Sequence, residues 1–241
     1  MGAKGKKERL LYIDLLRGLA IAMMVVFHFT FDLDHFGFVE VNMLSDPFWL
    51  DFRLVIVSLF LGLVGFSLQL SAGKRIRLRP YLKRLGLLVG SAALISLGTW
   101  IMYGDKMILF GVLHFIALAS VLGLLFRRLY WSNLLLGVGI LFFSNWFSHP
   151  WFNALAWHWI GLTTQLPSTL DYVPLFPWFG VVLIGMFLGR LSEEYGWLRK
   201  KGEGRNPLTR LMALSGRHSL LIYMLHQPIL FGAFYLVTLL V

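Results

Sequence analysis

An all-α, polytopic membrane helix bundle is the fold class this sequence predicts, and three observations predict it. Apolar residues make up 58% of the 241 and charged residues only 14%, with a mean hydropathy of +0.72, far from the mixture of a soluble globular domain. Seven apolar stretches, roughly 10–31, 48–70, 81–102, 109–126, 131–147, 172–189 and 218–240, come near the length that crosses a bilayer. Eighteen of the 22 Lys and Arg residues fall at Lys4–Arg9, Lys74–Arg84, Arg127–Arg128 and Arg190–Arg210, flanking alternate ends of those stretches. The positive-inside rule then places the N-terminus in the cytosol and the C-terminus outside. Membrane topology thus accounts for the net charge of +10 without a nucleic-acid partner. The absence of Cys excludes disulfides, thiolate metal sites and a cysteine nucleophile.

The chain reads as a single transmembrane domain over 1–241. It has a cytosolic basic tail at 1–9, an extracytoplasmic segment at 148–170 and a cytosolic basic loop at 190–215. Although the basic start resembles that of a signal peptide, the apolar run after it is long, carries Asp14 and Arg17, and lacks a small-residue cleavage site. It is therefore read as a retained first span. Spans two to five follow with short connections, and Gly86/Gly90 and Gly185/Gly189 permit close helix packing or a homodimer. The aromatic stretch 148–170 is read as an interfacial or re-entrant helix, since another crossing would invert the fit of the Arg190–Arg210 cluster. Pro174 and Pro177 loosen the start of the sixth span and free backbone groups that could face a cavity. In the last span, Pro228 next to Gln227 predicts a kink.

The first span carries the most chemistry. Eleven residues at about 100° each return to within roughly 20° of the starting direction, so Arg17 and His28 share a face about 16 Å apart. Asp14 lies at i−3 from Arg17, while Asp32 and His35 lie at i+4 and i+7 from His28, which puts five ionisable groups on one stripe. Facing lipid, such a stripe would be prohibitive; facing protein or water, it marks a functional path. His114 in the fourth span, Trp178 at the start of the sixth, and Ser219, Tyr223 and His226 at i, i+4, i+7 in the last are further candidates for a pocket. A single buried histidine is most often a hydrogen-bonded packing residue, but three in separate spans weaken that reading.

A neutral imidazole can take a proton from a hydroxyl or amine attacking an acyl carbon and return it to the leaving group. Asp32, one turn beyond His28, would then fix its tautomer. No G-x-S-x-G elbow occurs to support a serine acyl-enzyme, and no H-x-x-x-H or H-E-x-x-H spacing supports zinc, so no metal is expected.

The run Tyr12-Ile-Asp-Leu-Leu-Arg17 through His28-Phe-Thr-Phe-Asp32-Leu resembles the opening of the heparan-α-glucosaminide N-acetyltransferase catalytic-domain family, including its small bacterial members. The resemblance continues through Leu63-Val-Gly65-Phe-Ser67-Leu, Phe110-Gly-Val-Leu-His114, Pro174-Leu-Phe-Pro177-Trp178-Phe-Gly180 and Gly216-Arg217-His218-Ser219 to His226-Gln-Pro228. Arg17 and His28 also resemble the Arg/His motif of the wider transmembrane acyltransferase superfamily.

The resemblance implies an integral protein of the bacterial inner (plasma) membrane that moves acetyl from acetyl-CoA to an amine or hydroxyl of a carbohydrate acceptor. His28 and Asp32 would form its catalytic centre, with His35 as the alternative base. The resemblance leaves that choice open, because the catalytic histidine of the lysosomal member lies somewhat past the position of His28. CoA would present its phosphates at the cytosolic face to Arg17, Arg84 and Arg217. The chain lacks the extra spans and long extracytoplasmic domain of the lysosomal member, which argues for a cell-envelope glycan rather than heparan sulfate. A reading from another class is a proton-coupled transporter or channel using the Asp/Arg/His stripe, against which stands the lack of an inverted repeat. A third is a non-catalytic scaffold whose stripe contacts a partner helix.

Overall fold

The computed structural model describes residues 11–72, 77–196 and 206–240, and every regular element among them is a helix. Eight α-helices follow in order: α1 (Leu11–His35), α2 (Pro47–Ala72), α3 (Leu78–Tyr103), α4 (Val112–Phe126), α5 (Trp131–Trp146), α6 (Leu175–Glu194), α7 (Pro207–Arg217) and α8 (Ser219–Thr238). Five of them, α1, α2, α3, α6 and α8, are long and apolar enough to cross a membrane, and the chain is an integral membrane protein. The other two expected spans are shorter: α4 has 15 residues and α5 has 16. At 1.5 Å per residue they reach about 22–24 Å, less than the ~30 Å of hydrocarbon. The start of α4 is fixed by the Asp171 carboxylate, which accepts from the Val112 N–H at 2.9 Å. α5 ends at Phe147, whose backbone is extended, three residues before Pro150.

Two corrections to the sequence reading concern the connections. Where the sequence predicts a helix, 148–170 holds two short 3-10 turns, Pro150–Asn153 and His158–Ile160. The Asn153 side-chain oxygen accepts from the N–H groups of Thr164 and Gln165, closing the segment on itself. The Tyr172 hydroxyl donates to the His158 carbonyl, and burial pushes the His158 imidazole below its ordinary range. The expected loop 190–215 contains a helix, α7. Asn206 caps it by accepting from the Leu208 N–H at 3.0 Å, and Pro207 occupies its first turn. The basic tail 1–9 lies outside the described residues, as do 73–76 and 197–205 of the basic clusters.

The chain forms two compact units, one of residues up to Leu59 with Gly196 onward, the other of Phe60–Tyr195. In the first, α7 packs along α1 with two glycines at the seam. A Cβ on Gly18 would meet the Met212 carbonyl, and one on Gly216 would meet the Asp14 carbonyl, so the two backbones run in contact and antiparallel. α8 lies on the same helix, with Phe231 against Phe36 at 4.9 Å between ring centroids. The start of α2 adds Trp49 and Phe52 against Phe27.

In the second unit, α6 is the central helix. Gly185 abuts the Gly62 carbonyl on α2, and Gly180 and Gly137 bring α6 and α5 together. Of the two glycine pairs read from the sequence, Gly185/Gly189 therefore packs, while Gly86 and Gly90 on α3 meet nothing within 4 Å. The regular part of α6 begins after Phe176, whose backbone is non-helical (φ −98°, ψ 129°) between Pro174 and Pro177. This is the loosening the two prolines predict.

Candidate active site

α1 is one continuous helix from Leu11 to His35, so the polar stripe read from the sequence lies along a single helix. Its face toward α7 and α8 carries two polar centres. At the N-terminal end Asp14 is 6% exposed and accepts from Arg217 Nε at 3.0 Å. Arg17 approaches the same carboxylate at 3.9 Å. Helical spacing sets Arg17 next to Asp14, yet the closer partner comes from α7, 203 residues away. Two guanidiniums thus converge on one carboxylate, and both arginine side chains retain exposure, 29% for Arg17 and 40% for Arg217. That is an arrangement suited to an anion.

The second centre lies further along the stripe. The His28 ring meets the His226 ring edge-on, with centroids 4.7 Å apart. His28 Nδ1 lies 2.9 Å from the Met24 carbonyl, and His226 Nδ1 lies 2.7 Å from the Tyr223 carbonyl. A carbonyl can only accept, so each Nδ1 carries the hydrogen and each neutral ring keeps its basic lone pair on Nε2. Asp32 is fully buried and accepts from Gln227 Nε2 at 2.7 Å. The sequence reading gave Asp32 the task of orienting His28; in the structure the Met24 carbonyl does so, because a helical side chain leans back over the preceding turn. Asp32 is held instead by α8.

Asp32 Oδ2, Gln227 Oε1 and His226 Nε2 are buried and without a partner among the described residues. Each such atom costs about 1–3 kcal/mol, and apolar side chains would pack there at no such cost. A fully buried carboxylate and an imidazole with open valences are what a site for a hydrogen-bonding ligand requires.

The remaining candidates are placed as follows. His35 is exposed at the end of α1, its ring between Phe31 and Phe231. Ser219 is half-buried in the first turn of α8, and the Tyr223 ring lies 5.7 Å from that of His226. His114, Trp178 and Arg84 belong to the second unit. There His114 has both ring nitrogens engaged. Nδ1 accepts from the Gly111 N–H at 3.3 Å, so the proton sits on Nε2, which reaches Ser96 Oγ at 3.1 Å; that hydroxyl donates in turn to the Ile108 carbonyl. Trp178 is half-buried near the start of α6, and Arg84 is exposed on α3.

Two contributors went unread in the sequence. Gln227 stands in the sequence as the neighbour of Pro228, and its place beside His226 puts adjacent residues of α8 within reach of α1. α7 was hidden by the basic residues around it, although Asn206-Pro207 is a helix-start signal. No group of three or more His, Cys, Asp or Glu among the described residues is arranged to hold a metal.

No curated protein and no solved structure matches the chain. A family model does: heparan-alpha-glucosaminide N-acetyltransferase, catalytic, over residues 9–228. The match takes in the whole polar stripe of α1 and ends just past His226 and Gln227. The chain therefore belongs to the heparan-alpha-glucosaminide N-acetyltransferase catalytic family, and with it to the acyltransferase-type membrane enzymes.

Proposed function

We propose that the protein transfers acetyl from cytosolic acetyl-CoA to an amine or hydroxyl of a cell-envelope carbohydrate, with His28 as the general base. The observation that carries this reading is the centre on α1 and α8, where the His28 ring, its Nδ1 held by the Met24 carbonyl, meets the His226 ring, and the next residue, Gln227, bonds the fully buried Asp32. His28 is preferred to His35 because it belongs to that centre, whereas His35 is exposed against phenylalanines. In the reaction the acceptor O–H or N–H gives its proton to His28 Nε2 as the oxygen or nitrogen attacks the acetyl carbon. The carbon–sulfur bond then breaks, and the proton ends on the CoA sulfur.

Arg17 and Arg217, grouped at Asp14 with both side chains partly exposed, would pair with the CoA phosphates. Positive-inside topology puts that end of α1 in the cytosol, and α4 and α5 complete seven crossings by tilting their neighbours or thinning the bilayer. The reading takes the chain as one transmembrane domain of a bacterial inner membrane, with the C-terminus outside. Arg84, Trp178, Ser219 and Tyr223 remain proposed contacts of donor and acceptor.

Acetyl-CoA binding to detergent-purified protein tests the reading. A ligand of the folded state raises thermal stability by mass action, so acetyl-CoA is expected to raise the unfolding temperature of the wild type and to do so less in Arg17→Ala and Arg217→Ala. No shift at millimolar acetyl-CoA, together with solute flux in proteoliposomes without CoA, would replace the enzyme by a transporter.

A further inference from the structure

His226 has no role in a single-base transfer, yet it is the residue of α8 that touches the base. Its Nδ1–H is committed to the Tyr223 carbonyl, its ring lies against His28 at 4.7 Å, and its Nε2 is buried without a partner among the described residues. The next residue, Gln227, donates to Asp32 on α1, so two consecutive side chains of α8 reach the same polar stripe. Pro228 follows, and having no N–H it releases the Met224 carbonyl from its helical bond. α8 nevertheless continues as one helix through this point. An imidazole kept only for packing would have both nitrogens engaged, as His114 has.

We propose that His226 is a second proton-carrying group, the general acid that serves the departing thiolate; this rests on the transfer reaction proposed above. The acceptor's proton passes to His28 Nε2 as the new bond to the acetyl carbon forms. It then passes to the adjoining ring at His226 Nε2, which makes no direct hydrogen bond to His28 in this structure, and from there to the CoA sulfur as the carbon–sulfur bond breaks and the electron pair leaves with sulfur. One proton enters and one leaves, both imidazoles end as they began, and no other reactant is consumed. Two adjacent imidazolium ions would repel, so the pair holds one proton at a time. Gln227 is a positioning residue that keeps α8 in register through Asp32.

The leaving group provides the test. Purified protein is assayed for thiol release with glucosamine as acceptor, using acetyl-CoA and, separately, the acetyl thioester of an aromatic thiol, which departs readily without protonation. His226→Gln is expected to lose about 100-fold with acetyl-CoA but less than about a tenth of that factor with the aryl thioester. His28→Gln is expected to lose similarly with both. Added imidazole is expected to restore part of the acetyl-CoA activity of His226→Ala, which a purely structural role would not allow. Equal losses on both donors without imidazole rescue, or full activity in His226→Gln, would overturn the proposal while leaving His28 as base. Absence of acetyl-CoA-dependent thiol release in the wild type would instead remove the underlying reaction. Should His226→Gln not fold, the imidazole experiment on His226→Ala decides alone.

Discussion

His28 with His226, and His114 with Ser96, are two half-buried histidine clusters in one chain, and their hydrogen bonds set them apart. His114 is saturated: a backbone N–H on one nitrogen, a hydroxyl on the other. It fastens the start of α4 to α3. In the pair on α1 and α8 one nitrogen of each ring is fixed by its own helix, and His226 Nε2 is buried without a partner among the described residues. The His114 ring is held on both sides, whereas His226 keeps one nitrogen open for the proton transfer proposed above. Sequence position says neither, since all three lie in apolar helices.

The sharpest way to break this contrast is to remove the base. His28→Ala is expected to lower acetyl transfer about 1,000-fold while leaving thermal stability nearly unchanged, as seen by paired turnover and unfolding measurements. A smaller loss, about 100-fold, is expected for Asp32→Asn. The Gln227 hydrogen bond survives there but the charge does not; turnover and unfolding on the same preparation separate charge from packing.

His114→Ala should behave in the opposite sense. Stability falls by about 1–3 kcal/mol, because the Gly111 N–H loses its acceptor and Ser96 Oγ one of its two hydrogen bonds, and turnover per folded molecule changes less. Gly216→Val tests the frame that holds α1. Its side chain would press on the Asp14 carbonyl, and overpacking there is expected to cost about 1–3 kcal/mol and the Arg217–Asp14 contact with it.

The smallest effect expected is one of pH. Since burial holds the folded His158 imidazole below its ordinary range, the open state binds the proton first as pH falls through about 6.5. Stability of 149–172 is therefore full above that pH and is lost below it. Hydrogen exchange in this segment, corrected for intrinsic rates, should quicken between pH 7.5 and 5, and His158→Gln should abolish the difference.

Much of this was legible in the sequence, for definite reasons. The stripe Asp14–Arg17–His28–Asp32–His35 follows from helical period alone, and α1 is a helix over that whole length. The five long apolar helices follow from composition and length. What could not be read were partners distant in sequence. Asp14 is as near Arg17 by spacing as any helix allows, yet the closer guanidinium comes from residue 217. Asp32 lies one turn from His28, yet bonds Gln227. Helical spacing says which groups share a face but not which neighbour supplies the missing hydrogen. Likewise Gly86/Gly90 and Gly185/Gly189 have identical spacing, and only the tertiary contacts of α6 distinguish the pair that packs. α7 was lost because its charges were assigned to topology, leaving its cap unread.

The most direct measurement is thiol release from acetyl-CoA with glucosamine as acceptor, comparing wild type, His28→Ala and His114→Ala, each normalised to folded protein. The account predicts activity in the wild type, near-complete loss in His28→Ala and most of the activity in His114→Ala. Equal activity in wild type and His28→Ala, or loss confined to His114→Ala, would contradict it.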